Sequence, residues 1–260
     1  MKLYTRALCG ALLASTFCLA AHAAAPAKPS RPATALTPAQ IETIVHDYLL
    51  KNPGILRQAS DLLQREDMAR AQQQAAQSVD VLSKELLAGA ASPVAGNPQG
   101  DVTVVEFFDY HCGYCKRVAP AVKALLDSDP NVRLVYKELP ILGPDSIVAA
   151  RAALAANRQG KYQGFHDALF AADSLAEPAV LALAAAQGLD VERLRADMAD
   201  PAVTAELEKN VAMSTPLGIN GTPGFVIGNT VAPGALDLNG LRQMVEAARK
   251  APQRQASVAP

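Results

Sequence analysis

Val102-Thr103-Val104-Val105-Glu106-Phe107-Phe108, running into Asp109-Tyr110-His111-Cys112-Gly113-Tyr114-Cys115, is the stretch that decides the fold. β-Branched and aromatic residues dominate its first seven positions, which predicts a strand buried on both sides except at Glu106. A helical pattern begins near Lys116, with Val118, Val122, Leu125 and Leu126 on one face and Pro120 as a kink. Two cysteines two residues apart at a strand-to-helix junction have the geometry of a redox-active dithiol. Cys112 is expected at the exposed start of the helix, where unpaired N–H groups and the helix dipole favour thiolate over thiol. The thiolate is the attacking species in disulfide exchange. Cys112 is therefore the expected nucleophile, and Cys115 the residue that closes the ring.

Working outward, the chain has 260 residues, half of them hydrophobic, with a net charge of −1. That length supports one substantial core with a smaller appendage. No basic block points to nucleic acid or an anionic lipid surface as partner. Residues 1–23 read as a secretory signal. Lys2 and Arg6 precede a short apolar run, and Ala21-His22-Ala23 fits the small-x-small cleavage rule. The run is shorter than the ~20 apolar residues that span a bilayer, which argues against an anchor. Phe17, directly before Cys18, fits poorly with lipid attachment. Cys9 and Cys18 leave with the signal, so the exported chain carries only Cys112 and Cys115. A pair so close together staples no framework, which makes a catalytic role the expectation. The expected location is the periplasm.

Residues 24–36 are rich in Ala and Pro and read as a disordered leader. Thr37-Pro38-Ala39-Gln40 is a helix start with a capping box and a proline at the first helical position. Ile41, Ile44, Val45, Tyr48 and Leu49 follow at helical spacing until Asn52-Pro53 interrupts. From 55 to 87 the chain is polar, yet Ile55, Leu62, Ala69 and Ala76 recur every seventh residue, as do Met68, Ala75 and Leu82. Such a stripe pairs helices of different subunits, so 37–88 is expected to be an oligomerisation segment. A solitary solvated helix is the alternative. Residues 89–100, with Gly and Pro clusters at both ends, read as a linker. A second strand is expected over 131–138, only helical signals over 145–214, and a hairpin at Phe225-Val226-Ile227, Gly228-Asn229 and Thr230-Val231. A closing helix follows over 236–249, with a frayed tail over 251–260. His46 and His166 sit in helical runs and read as structural or surface groups. The order predicts an α/β domain over 101–250, a thioredoxin fold with a helical insertion.

The stretch from Glu106 to Arg117, together with Gly221-Thr222-Pro223-Gly224-Phe225, resembles the DsbA-like family of exported thiol–disulfide oxidoreductases. The N-terminal helices followed by Gly96-Asn97-Pro98 resemble its ScsC subgroup, associated with copper tolerance. The resemblance implies a cis-proline loop facing the dithiol, placing Thr222 and Pro223 at the substrate. It also implies that Glu106 moves protons for the buried cysteine, and Lys137 is the natural partner for its carboxylate. His111, Gly113 and Tyr114 are implied to tune the dithiol. The family's DsbA carries Pro-His between the cysteines; Gly-Tyr here, and Thr before the proline, look like the DsbC-type isomerases.

Three functions follow. An isomerase or reductase needs a reduced Cys112 at rest and gains from several active sites around one substrate. An oxidase needs an oxidised resting state and works as a monomer. A copper-binding or zinc-binding module, or a chaperone, is the reading from another class: thiolates suit Cu(I), but a closed zinc site needs four ligands. The sequence carries no metal-site spacing and no cofactor motif. Expected partners are unfolded or misfolded exported proteins with cysteines, a membrane redox partner that resets the dithiol, and further copies of this chain, a trimer by resemblance to the ScsC subgroup.

Overall fold

The computed structural model describes residues 35–87 and 92–251. The signal segment, nearly all of the 24–36 leader and the 252–260 tail lie outside the described residues. Two compact units divide the chain after Leu56.

In the first unit, helix α1 (Pro38–Lys51) starts on the expected capping box: Gln40 N donates to Thr37 Oγ1, and Thr37 N donates back to Gln40 Oε1 at 2.9 Å. It ends before Asn52, and α2 (Gly54–Leu87) begins after Pro53. Ile41, Ile44, Val45 and Tyr48 share one face of α1 and are all exposed.

The rest of the described chain is β1 (Val94–Gly96), β2 (Val102–Phe108), α3 (Gly113–Ser128), β3 (Val132–Glu138), α4 (Pro144–Arg158), α5 (Tyr162–Ala171), α6 (Glu177–Ala186), α7 (Val191–Met198), α8 (Pro201–Ser214), β4 (Gly224–Ile227), β5 (Thr230–Pro233) and α9 (Leu238–Lys250). The sheet order is β1-β3-β2-β4-β5, with β2 and β3 parallel and the other pairs antiparallel. Alternation divides the strands between two cores. Val102, Val104, Phe108, Leu134, Tyr136, Phe225 and Ile227 join α3, α9 and the inserted helices on one face. Val105, Phe107, Val135 and Val226 join a second cluster on the other.

That second cluster corrects two expectations. Ala75, Val79 and Leu86 of α2 are buried in it, with Leu82 packed alongside. Part of the heptad stripe therefore serves the catalytic unit itself, covering the sheet's second face together with Met213 of α8 and Leu217 and Ile219 after it. Nor is 92–100, the described part of the expected linker, a free one. Val94–Gly96 pairs with β3, and Asn97 N and Nδ2 donate to Val132 O and Pro130 O. Gly96 is required there: its φ is +70°, and a Cβ would stand 2.5 Å from Val132 O.

Candidate active site

Cys112 is the N-cap of α3 and Cys115 lies in its first turn. Both are free thiols. The strand β2 delivers them through a short turn in which Cys112 N donates to Asp109 O at 3.0 Å. Contrary to expectation the first sulfur is not openly exposed. Cys112 is 6% exposed because the loop before β4 closes over it, and its Sγ donates to Thr222 O at 3.2 Å. The Thr222–Pro223 peptide is cis. Burial pulls the Cys112 thiol upward. Neighbouring Thr222, the backbone and thiol of Cys115 and the Tyr114 backbone pull it further down, so it sits below the ordinary thiol value. Cys115 is fully enclosed, and burial first, then the Cys112 sulfur, hold its thiol far above the ordinary value. One sulfur is thus set to attack and the other to stay protonated until called on. The Thr222 hydroxyl is buried without a hydrogen-bond partner among the described residues.

Glu106 is on β2's Cys115-facing side and 3% exposed, with no hydrogen bond to any described residue. Burial pushes its carboxyl up to about 8. Lys137 is not its partner. The parallel register sets Tyr136 opposite Glu106 and Lys137 opposite Phe107, so the lysine points to the other face of the sheet. There Lys137 Nζ donates to Ser92 Oγ at 2.7 Å and Glu85 O at 2.8 Å, and stands 3.8 Å from Glu206 Oε1. Burial pulls it down to about 8 against the upward pull of Glu206.

His111 and Tyr114 are exposed, and Arg117 stacks on the Tyr114 ring at 4.2 Å. Gly113 lies between them on the open rim.

Sequence reasoning missed two groups. Asp109 is buried and uses both carboxylate oxygens: Oδ1 accepts from His111 N and Ser146 Oγ, both at 2.7 Å, and Oδ2 from Ile141 N and Leu142 N. It pins the loop after β3, with exposed Ile141 and Leu142, to the dithiol turn. Beneath that turn Glu138 Oε1 accepts from Tyr110 at 3.1 Å and Tyr162 at 2.9 Å, while Tyr110 OH meets His166 Nδ1 at 2.9 Å. Burial pushes the Glu138 carboxyl well above the usual carboxylate range and pulls His166 down to about 3, so the imidazole is neutral at pH 7. An acidic residue closing an apolar strand was the available signal for Glu138.

Comparison with known proteins places these residues in context. Residues 103–246 match the family described as DSBA-like thioredoxin domain, and residues 39–77 match the copper resistance protein ScsC N-terminal domain. A thioredoxin-like oxidoreductase from Silicibacter pomeroyi DSS-3 is 50% identical, with a TM-score of 0.64 over 65% of this chain and 98% of that one. Proteus mirabilis ScsC in a transitional conformation is 30% identical, with a TM-score of 0.61 over 82% of this chain and 97% of that one. The Na(+)/H(+) antiporter NhaA 1 of Salinispora arenicola is 34% identical over 158 residues, 60% of this chain and 24% of that protein. The chain spans about a quarter of the length of the curated relatives it matches first. Among the described residues no helix is long and apolar enough to cross a membrane.

Proposed function

Because this chain belongs to the family of DSBA-like thioredoxin domains, we propose that its Cys112–Cys115 dithiol exchanges with disulfides of exported proteins, as a periplasmic isomerase or reductase. The observation that carries this reading is the asymmetry of the two sulfurs: Cys112 held low at a helix N-terminus, Cys115 buried and held high. The Cys112 thiolate attacks a substrate disulfide, forms a mixed disulfide and releases one substrate thiolate. In isomerisation that thiolate, or another on the same chain, attacks the mixed disulfide, regenerating Cys112 with no net electron transfer. In reduction Cys115 loses its proton and attacks Cys112 Sγ. The substrate leaves with two electrons and the protein keeps a Cys112–Cys115 disulfide, which a membrane redox partner resets. Glu106, on the Cys115 side of β2, is the proposed acceptor of that proton in its ionised form, whose share rises as pH approaches its value of about 8. Thr222 and Pro223 offer backbone to an extended substrate chain.

The isomerase direction goes together with a proposed assembly. The apolar face of α1 and exposed Leu62, Leu63 and Met68 of α2 lie in or beside the stretch matching the ScsC N-terminal domain. We read this segment as joining copies of the chain, a trimer by likeness to ScsC proteins, which raises the effective concentration of dithiols around one substrate. The oxidase reading keeps one specific support, since a stabilised Cys112 thiolate makes the disulfide form more oxidising.

The test measures reactivation of a scrambled-disulfide protein beside oxidation of a dithiol peptide on one preparation. Reactivation should dominate, Cys112→Ser should abolish both activities, and Cys115→Ser should accumulate a mixed disulfide through Cys112. Absence of that adduct would overturn the assignment of attacking and resolving sulfurs; dominance of peptide oxidation would overturn the isomerase direction.

A further inference from the structure

The lysine expected beside Glu106 lies on the other face of the sheet, and what stands at Glu106 instead is a cleft of about 330 Å³. Strand β2 supplies its acidic floor, Tyr136 comes from β3, Lys123 and Asp127 from α3, and His166, Asp167 and Phe170 from α5. The charges are unbalanced. Lys123 Nζ is taken by Asp127 at 3.0 and 3.2 Å, Asp167 is bonded only by the neutral Gln163 amide, and His166 is neutral with its Nδ1 against Tyr110. Glu106 is left as a carboxyl group 97% enclosed, lining the cleft, with no partner among the described residues. An unpaired buried carboxylate is unfavourable, and a donor cation is what would satisfy it. The apolar flank of the cleft comes from Val122, Leu126 and Phe170, with the Tyr136 ring at its edge. The volume lies at the lower end of small-molecule sites, enough for a ligand of about ten non-hydrogen atoms.

We infer that this cleft binds a small organic cation, an ammonium, amidinium or guanidinium head against Glu106 with a short apolar or aromatic body against Phe170 and Val122. Such a ligand holds Glu106 ionised. The same carboxyl is the proposed proton acceptor for Cys115, so an occupant would also slow the resolving step. The binding site itself does not depend on that role, because the enclosed carboxyl and the cleft are present whichever group receives the proton.

Benzamidine is a suitable probe, since it stays cationic across the pH range of interest, and benzamide is its neutral isostere. Titrations of the reduced full chain, followed by calorimetry and amide chemical shifts, should give a millimolar or tighter Kd for benzamidine, with shifts at residues lining the cleft. Benzamide should bind at least about tenfold more weakly. Glu106→Gln, which keeps the shape, should weaken benzamidine by about tenfold or more. In the wild type the affinity should rise about tenfold between pH 7 and pH 9, as the free carboxyl loses its proton and no longer competes. Equal binding of the amidine and the amide, equal binding by wild type and Glu106→Gln, a flat pH dependence, or no binding up to about 10 mM would each overturn the site. Exchange kinetics separate the two ideas: a probe that binds as described and leaves the rate unchanged supports the cation site and removes Glu106 from the proton path.

Discussion

Lys137→Met separates the lysine's structural role from a catalytic one in a single variant. In the wild type the ammonium is completely enclosed, bonded to Ser92 and Glu85 and facing Glu206. Methionine keeps much of the stem volume but leaves Glu206, among the described residues, with the Ser92 hydroxyl, which donates to it at 2.9 Å. Breaking a buried pair from one side costs about 3–5 kcal/mol. Against this, burial has already lowered Lys137 from 10.5 to about 8, a self-cost of about 3 kcal/mol that the variant sheds. The net loss at pH 7 is therefore small, about 0–2 kcal/mol. The sign of the pH dependence follows from the lowered value. Between pH 8 and 10.5 the unfolded chain holds a proton that the folded chain has released, so wild-type stability rises with pH in that window. Lys137→Met lacks this rise, and its deficit widens by about 2 kcal/mol from pH 7 to pH 9.5. Urea unfolding at the two pH values reads both quantities. Exchange with a small disulfide at pH 7 should stay within about twofold of wild type, under 0.5 kcal/mol in barrier. A tenfold loss of exchange with unchanged unfolding would refute this reasoning and return the lysine to the site.

Three other outcomes are expected. Glu106, raised to about 8, holds a proton in the folded chain that the unfolded chain sheds above 4.5, so it weakens the fold increasingly across that range. Glu106→Gln should add about 3 kcal/mol at pH 7 and nothing at pH 4, while slowing exchange and flattening its pH profile; equal gains at both pH values would rule this out. Asp109→Asn cannot accept from four donors, so it should cost about 2–4 kcal/mol and speed hydrogen exchange at the Ile141 and Leu142 amides; unchanged protection there would refute the clamp. Removing residues 1–67 should leave a monomer that exchanges thiols but no longer reactivates scrambled substrate. Sedimentation of the longer chain as a monomer at micromolar concentration would contradict this.

The strands at 102–108 and 132–138, the helical insertion and the hairpin were all legible, because long apolar runs and Gly-Asn turns mark them strongly. Val94–Gly96 was not, since three residues between Pro93 and Asn97 carry no periodicity and pair only because β3 leaves an open edge. The dithiol announced itself through spacing alone. Lys137 misled because parity across a parallel pair depends on register, which side-chain type does not encode: one residue's shift moves a lysine through the sheet. Glu138, Tyr110 and His166 were invisible as a network because 28 and 56 residues separate the bonded members along the chain.

The covering of the sheet by α2 has a consequence for how this chain is made. One face is packed by a helix preceding every strand, and the cover of the other, begun by α3 and the inserted helices, is completed by α9, which follows every described strand. The longest-range bonds join these ends to the middle: Asn229 to Asp80 across 149 residues, and Arg249 to Asp101 across 148. Arg249 also bridges Asp129, so the last turn of α9 locks the first turn of the sheet to the α3–β3 corner. Emerging from the ribosome, the α2 seam has no surface to rest on until β2 and β3 exist, and the cover that α3 and the inserted helices lay over the other face stays incomplete until α9 arrives. Closure therefore waits for elements far apart in sequence and has high contact order. A sheet that is not fully sealed until α9 is made stays threadable while its strands are being synthesised, the state a protein must keep if it is to cross a membrane before it folds.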